Sequence, residues 1–228
     1  SYKFNNSPNN SEYSTLIENI TGNYPLDYKK DWSKNDASTN EHTGQIDYTR
    51  PFPHGQTLEA GLKYILRISD SKTERYLDDI LLSEKNKDFK HTQNIYSAYA
   101  SYNLKIKKFG FKAGIRAEGT NEKIKMDDSF KTDYFDIVPS ATASYQLNMT
   151  QNVRFGYNMR IQRPGIWYLN PYINNNDPLN ISYGNKNLDS EKSHNFNLNY
   201  GMFSQKFNLN ASLNYSFVNN GIERYTFV

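Results

Sequence analysis

The side chains that could do chemistry in this sequence are dispersed. Its histidines, His42, His54, His91 and His194, lie far apart, and none has a neighbour at the spacing that presents two ligands to one metal ion. They read as solvent-exposed histidines at loop ends. Asp78-Asp79 and Asp127-Asp128 carry the hard oxygen donors that calcium takes, but neither pair belongs to a loop patterned like an EF-hand, so both read as solvated loop charge. There is no Gly-x-Ser-x-Gly nucleophile turn and no glycine loop for phosphate. Carboxylates are plentiful, but nothing in their spacing pairs them for glycoside hydrolysis. Cysteine is absent, which removes disulfides and thiolate metal sites. The sequence therefore predicts no enzyme, no catalytic residue, no metal and no cofactor.

Two groups of residues remain that could bind something. Trp167, Tyr168, Tyr172 and Tyr183 fall within one long polar stretch, either as a ligand-contacting aromatic loop or as a cluster that packs on itself to keep that loop ordered. Lys63, Lys112, Arg116, Arg154 and Arg160 share one face of alternating segments. They either attract anionic solutes or dock a further domain, or they form a solvated wall with Glu59 and Glu118 as partners. A net charge of +3 with no basic cluster along the chain gives no reason to expect nucleic acid.

The elements that carry these residues are strands. In "FGFKAGIRAEGT", Phe109, Phe111, Ala113, Ile115 and Ala117 alternate with Gly110, Lys112, Gly114, Arg116 and Glu118. Period two puts each set on its own face of a β-strand. The same alternation runs through 42–52, 57–68, 93–106, 137–147, 153–162, 195–202 and 207–217. With 109–120 this gives about eight strands, an all-β antiparallel up-and-down meander. The connections alternate in length. "PFPHGQ", "KK", "NMTQN" and "FSQK" are short, whereas 69–92, 121–136 and 163–194 are long and polar. A transmembrane barrel has that asymmetry, with short periplasmic turns and long extracellular loops.

Composition fits the same reading. Aromatics reach 15% while mean hydropathy is −0.86. A polar lumen inside an aromatic-decorated exterior produces that mixture; a loop-rich soluble sandwich is the alternative. Aromatics such as Phe52, Phe109, Phe111, Phe155, Phe203 and Phe207 flank the short turns, whereas mid-strand apolar positions are often alanine. No run of about 18 apolar residues exists to form a spanning helix. About ten residues at about 3.3 Å each, tilted by about 40°, cover roughly 25 Å, the height of a barrel's apolar band. Water is missing there, so every backbone group must pair and the sheet must close.

Residues 1–41 show no sustained alternation and read as an irregular surface loop; 42–217 hold the barrel strands; 218–228 are a loop or the start of a further strand. The charges on the polar face are too many for a narrow eight-stranded lumen. The chain therefore reads as consecutive strands cut from a larger transmembrane barrel.

The stretch 163–191 contains Arg163-Pro164, Leu169-Asn170-Pro171, Asp177-Pro178, Gly184-Asn185, and Leu188 with Glu191. With Leu58, Glu59, Gly61 and Lys63 upstream, this string resembles the barrel of Bacteroidetes-type TonB-dependent outer-membrane receptors over about 43–217. The resemblance implies a place in the bacterial outer membrane, contact with the lipid bilayer, and import of an unidentified bulky nutrient. It also implies a plug domain and a TonB-type energy coupler as partners; neither plug nor coupling box has a counterpart in these residues. An outer-membrane adhesin or structural barrel with partner-binding loops is the alternative, and a soluble β-domain binding an apolar ligand a further one. An isolated chain is expected to bury its apolar face against itself or in an oligomer.

Overall fold

The computed structural model describes residues 1–16, 30–82, 87–125, 129–169 and 183–226. Its strands are β1 (Tyr2–Leu16), β2 (Lys30–Phe52), β3 (Gln56–Leu77), β4 (Ile80–Leu81), β5 (Lys87–Ile106), β6 (Phe109–Lys125), β7 (Ser129–Gln146), β8 (Gln151–Gln162), β9 (Glu191–Phe203) and β10 (Asn208–Asn219). A 3-10 turn at Pro53–Gly55 and a single helical turn, α1 (Ile166–Leu169), interrupt them. The sheet order is β1-β2-β3-β5-β6-β7-β8-β9-β10, with β4 paired on β3. Neighbours in sequence are neighbours in space, as the short turns require. Antiparallel pairing is continuous, as in Tyr145↔Val153 and Leu213↔Leu198.

All eight alternating segments are strands, but the sheet is larger than the alternation indicates. Of residues 1–41, read as an irregular loop, those described after Ser1 are strand: β1 fills 2–16, and β2 begins at Lys30 and pairs with it from Tyr2↔Gly44 to Leu16↔Lys30. Likewise β3 runs to Leu77, β5 starts at Lys87, β6 reaches Lys125 and β7 starts at Ser129, so much of 69–92 and 121–136 is strand. The cause is that alternation records a difference between two environments. Where both faces are wet, polar residues suit both, and the period vanishes although the backbone ladder continues. The segment after Asn219 takes no strand conformation among the described residues.

By contacts the chain forms two compact units. One comprises 1–45, 64–95 and 120–133; the other 46–63, 96–119 and 134–228.

In the second unit the apolar face carries two groups of rings. Phe109 lies 4.4 Å from Tyr145 and 6.1 Å from Phe111. Elsewhere Tyr157, His194, Phe196 and Phe217 stack in series, with Tyr157–Phe196 at 4.8 Å and His194–Phe217 at 4.7 Å. Along β7, Phe135 and Tyr145 stand ten residues apart, which at about 3.3 Å each and a tilt of about 40° is close to 25 Å, the height of a bilayer-facing band. The expected self-burial of the apolar face is not what the fold shows: Ile115 is 53% and Leu213 69% exposed. Each of β2, β3 and β5 to β9 has a hydrogen-bonded neighbour on both sides without the apolar face folding inward.

In the first unit the far end of the β2–β3 pair is closed by a polar latch. The Lys30 amide donates to Asp78 Oδ1 at 2.8 Å, and the Asp78 amide returns a bond to the Lys30 carbonyl at 2.9 Å. Lys30 Nζ (2.8 Å) and the Trp32 indole (2.9 Å) both donate to Asp79 Oδ1. Asp78 and Asp79 hold φ of 47° and 66°, a left-handed pair that aspartate tolerates better than most residues. They are thus a turn device that also remains solvated, Asp79 being 67% exposed. Trp32 stacks on Tyr76 at 4.1 Å. The Lys30 ammonium, then Trp32, hold the Asp79 carboxyl below the usual aspartate range. A depressed carboxyl stabilises the folded state above its ordinary pKa and loses that contribution as pH falls through the lower folded value. The latch is therefore expected to be unchanged from neutrality down to about pH 4 and to loosen only below it. Trp32 fluorescence in a Trp167→Phe background reads this directly, and Asp79→Asn should remove the acid transition.

Three histidines depart from the loop-end expectation. His42, His91 and His194 are part-buried within β2, β5 and β9; only His54 sits in a turn, with φ of 65°. His42 accepts or donates with the Tyr2 hydroxyl at 2.7 Å and packs on Phe4 at 4.9 Å. β1, which the alternation missed, is what captures His42, and the extension of β5 takes in His91.

Candidate functional site: a charged lattice on the polar face

The polar face is wired across strands rather than merely solvated. In the second unit Lys112 Nζ on β6 donates to Glu59 Oε2 on β3 at 2.8 Å, and Ser101 Oγ on β5 joins the same oxygen at 2.8 Å. Tyr99 lies over Gly61, where an added Cβ would meet the ring at 2.5 Å, and its hydroxyl bonds Asp47. Gly61 is thus the slot that lets an aromatic bridge β5 and β2. Arg116 Nε lies 3.3 Å from Glu118. The sequence pairing of Lys112 and Arg116 with Glu59 and Glu118 is what the fold contains.

Its most buried part was not legible in spacing. Arg163, just past β8, points Nη1 at Glu118 Oε1 at 2.6 Å, and its Nη2 lies 3.6 Å from Asp136 Oδ2. Ser190 Oγ donates to that same Asp136 oxygen at 2.9 Å, and Lys192 Nζ is 3.5 Å from the other. Asp136 and Glu118 are 4% and 9% exposed. The guanidinium also sits 5.9 Å from the Tyr134 ring. Both ends of the long segment 163–190 are thereby fastened to one carboxylate on β7. The only sequence signal was the Arg163-Pro164 dipeptide and the closing Leu188–Glu191. Proline ends the strand, so that Arg163 can leave the ladder and turn onto Asp136 and Glu118. Glu191 takes the amide of Ile222 at 2.6 Å, tying in the chain beyond β10.

In the first unit a second relay crosses four strands. Arg67 binds Glu41 through Nε (2.9 Å) and Nη2 (2.6 Å), and Gln93 through Nη1 at 3.0 Å. Gln93 Nε2 continues to Glu122 Oε1 at 2.5 Å, with His91 Nε2 at 3.5 Å from the same carboxylate. Arginine suits the node because its planar fork serves several oxygens at once.

The loop aromatics are less gathered. Tyr168 is exposed, on α1, and its carbonyl accepts the Asn185 amide at 2.6 Å; Tyr183, two residues away, is 71% exposed. Tyr172 and the Trp167 side chain lie outside the described residues. Asp127-Asp128 also lie outside them. Among the described residues there is no group of three metal-ligating side chains. The lattice can fix charges, hold a wall rigid and present oxygen and nitrogen groups to a passing solute.

No curated protein matches the chain. Solved structures do. The ferric-catecholate import receptor Fiu of E. coli K12 is 13% identical with a TM-score of 0.62, over 95% of this chain and 37% of that one. The ferric yersiniabactin uptake receptor FyuA of Yersinia pestis is 13% identical with a TM-score of 0.59, over 95% and 33%. The alcaligin outer-membrane receptor FauA of Bordetella pertussis is 16% identical with a TM-score of 0.57, over 95% and 37%. At such identities the likeness establishes the fold, and the chain spans about a third of each receptor's length. A family model settles the rest: it matches residues 1–228, and with this meander and its two chemically distinct faces it shows that the chain belongs to the outer membrane protein β-barrel family.

Proposed function

We propose that this chain is part of the barrel wall of an outer-membrane receptor that imports a bulky nutrient with TonB-supplied energy. The reading is carried by strand length. A bilayer needs about 9–11 residues of strand, yet β2, β3 and β5 run to 23, 22 and 20 residues. Their surplus carries the Arg67–Glu41–Gln93–Glu122 relay on the polar face. A tall, charged, internally braced wall serves a wide vestibule that handles a large polar solute. The likeness to Fiu, a ferric-catecholate import receptor, and to FyuA, a ferric yersiniabactin uptake receptor, favours ferric chelates as the solute class. In this reading the apolar face meets lipid. Lys63, Lys112, Arg116, Arg154 and Arg160 face the lumen, where a plug domain docks, and Trp167, Tyr168, Tyr172 and Tyr183 contact the solute at the mouth.

Uptake of a labelled ferric chelate by cells making the full-length protein tests this. Uptake is expected to stop when a protonophore collapses the inner-membrane gradient that drives TonB. Uptake that persists would assign a passive channel, and absence of any uptake with intact cell attachment would favour an adhesin. The orientation has its own test. An epitope at Asn175 should be readable on intact cells and one at Pro53 should not; the reverse result inverts the topology.

A further inference from the structure

Just past β10 the chain carries Asn220-Gly221, the one place in the sequence where glycine follows asparagine. The strand ladder ends one residue earlier, at Asn219↔Lys192. Beyond the dipeptide, the Ile222 amide is held by Glu191 at 2.6 Å. Between these fixed points Asn220 stands in the left-handed region with φ of 55°, and both Asn220 and Gly221 are exposed. Asparagine takes that conformation more readily than most residues. Among the described residues the Gly221 amide makes no hydrogen bond. Nothing lies within 4 Å of the place a Cβ would take at Gly221. Its nitrogen is therefore open to approach, with neither a side chain of its own nor a neighbour to screen it.

We propose that Asn220-Gly221 is a modification site, where the chain converts its own asparagine to isoaspartate without an enzyme. The Gly221 nitrogen attacks Asn220 Cγ. The Cγ–N bond forms, the Cγ–Nδ2 bond breaks, and Nδ2 leaves as ammonia with the proton that the Gly221 nitrogen gives up. The cyclic imide then takes up water. Opening at the main-chain carbonyl leaves a carboxylate there and routes the backbone through Cγ. Other asparagines lack the combination. Asn6 and Asn10 precede serines but sit in the β1–β2 ladder, as Asn6↔Asn40 and Asn10↔Asp36. Asn197 is laddered on both sides and precedes Leu198, whose side chain crowds a closing ring. The site matters for what it adjoins. Isoaspartate lengthens the main chain by a methylene just before Ile222, and its carboxylate lies within two residues of the amide that Glu191 holds. Like charges so close repel. The conversion thereby loosens the tie between β9 and the chain beyond β10.

The test ages the full-length protein in detergent at mildly alkaline pH and maps its peptides by mass spectrometry, with isoaspartate methyltransferase labelling the rearranged product. Asn220 should convert about tenfold or more faster than Asn6, Asn10 or Asn197, because its attacking nitrogen carries no side chain and no ladder bond. Gly221→Ala should slow Asn220 by about tenfold while folding like wild type by heat-modifiable gel mobility, since an added Cβ meets nothing there. Hydrogen exchange at the Ile222 amide should quicken in aged wild type and stay slow in aged Gly221→Ala. Fresh Asn220→Asp carries the charge without the longer backbone and should exchange more slowly than aged wild type. Conversion at Asn220 no faster than at the other three overturns the site. A wild-type rate in Gly221→Ala overturns ring closure by the Gly221 nitrogen. Unchanged exchange at Ile222 after conversion overturns the loosening, and equal exchange in fresh Asn220→Asp overturns the lengthened backbone as its cause. None of these readouts depends on transport, so failure of the import reading and failure of this one are told apart.

Discussion

Asp136→Ala is expected to release the segment 163–190 from the sheet and to cost about 3 kcal/mol or more, the range for removing one partner of a buried charge pair. Asp136 is 4% exposed and takes Ser190 Oγ at 2.9 Å, with Arg163 and Lys192 at 3.6 and 3.5 Å. Truncation leaves two cations facing a cavity, and only Arg163 keeps a carboxylate, Glu118. The loss should appear as a lower melting temperature of the full-length barrel in detergent and as new protease cleavage between 163 and 190. Asp136→Asn keeps the Ser190 bond and the shape while removing the charge, so it should fall between wild type and alanine. A combined Asp136→Ala/Lys192→Met variant should recover part of the loss, because it removes the stranded cation as well. Unchanged cleavage in Asp136→Ala would show that the loop is held by other contacts.

Leu213→Arg and Ser212→Arg should differ sharply although they are neighbours in the middle of β10. Leu213 pairs with Leu198, which pairs with Phe155, so an apolar row runs across three strands on one face. Ser212 pairs with Asn199, which pairs with Arg154, on the other. If the apolar face meets lipid, arginine at 213 is at the bilayer midplane and costs about 2–4 kcal/mol, whereas a lumen-facing arginine costs far less. Folding titrations of the full-length protein into vesicles measure both. Equal penalties, or a larger one at Ser212, would invert the assignment of faces, since a one-residue slip exchanges every side chain between them.

The aromatic-loop reading shows where sequence reasoning loses purchase. Trp167, Tyr168, Tyr172 and Tyr183 drew notice because large rings in a polar segment need a reason. Among the described residues the anchors of that segment are Arg163, Ser190 and Glu191, whose types are ordinary in a loop. Nothing in a one-dimensional pattern marks a serine that will meet an aspartate 54 residues earlier. The glycine at 61 was visible as part of a familiar string, but its cause, the Tyr99 ring laid across it, required the β3–β5 pairing.

What the sequence by itself determined is local and periodic. Two-residue alternation determined which side chains share a face and where strands lie between the short turns, and the absence of a long apolar run left no stretch able to form a spanning helix, because each follows from backbone geometry within twenty or so residues. Tertiary structure decided whatever depends on register between strands. It extended β2, β3, β5, β6 and β7 into regions where water on both sides erased the pattern, and it turned 2–16 into a strand. It also brought Arg163 and Lys192 to Asp136. Cross-strand neighbours are chosen by the cumulative register of the ladder, and that register is a property of the paired sheet that no single strand carries.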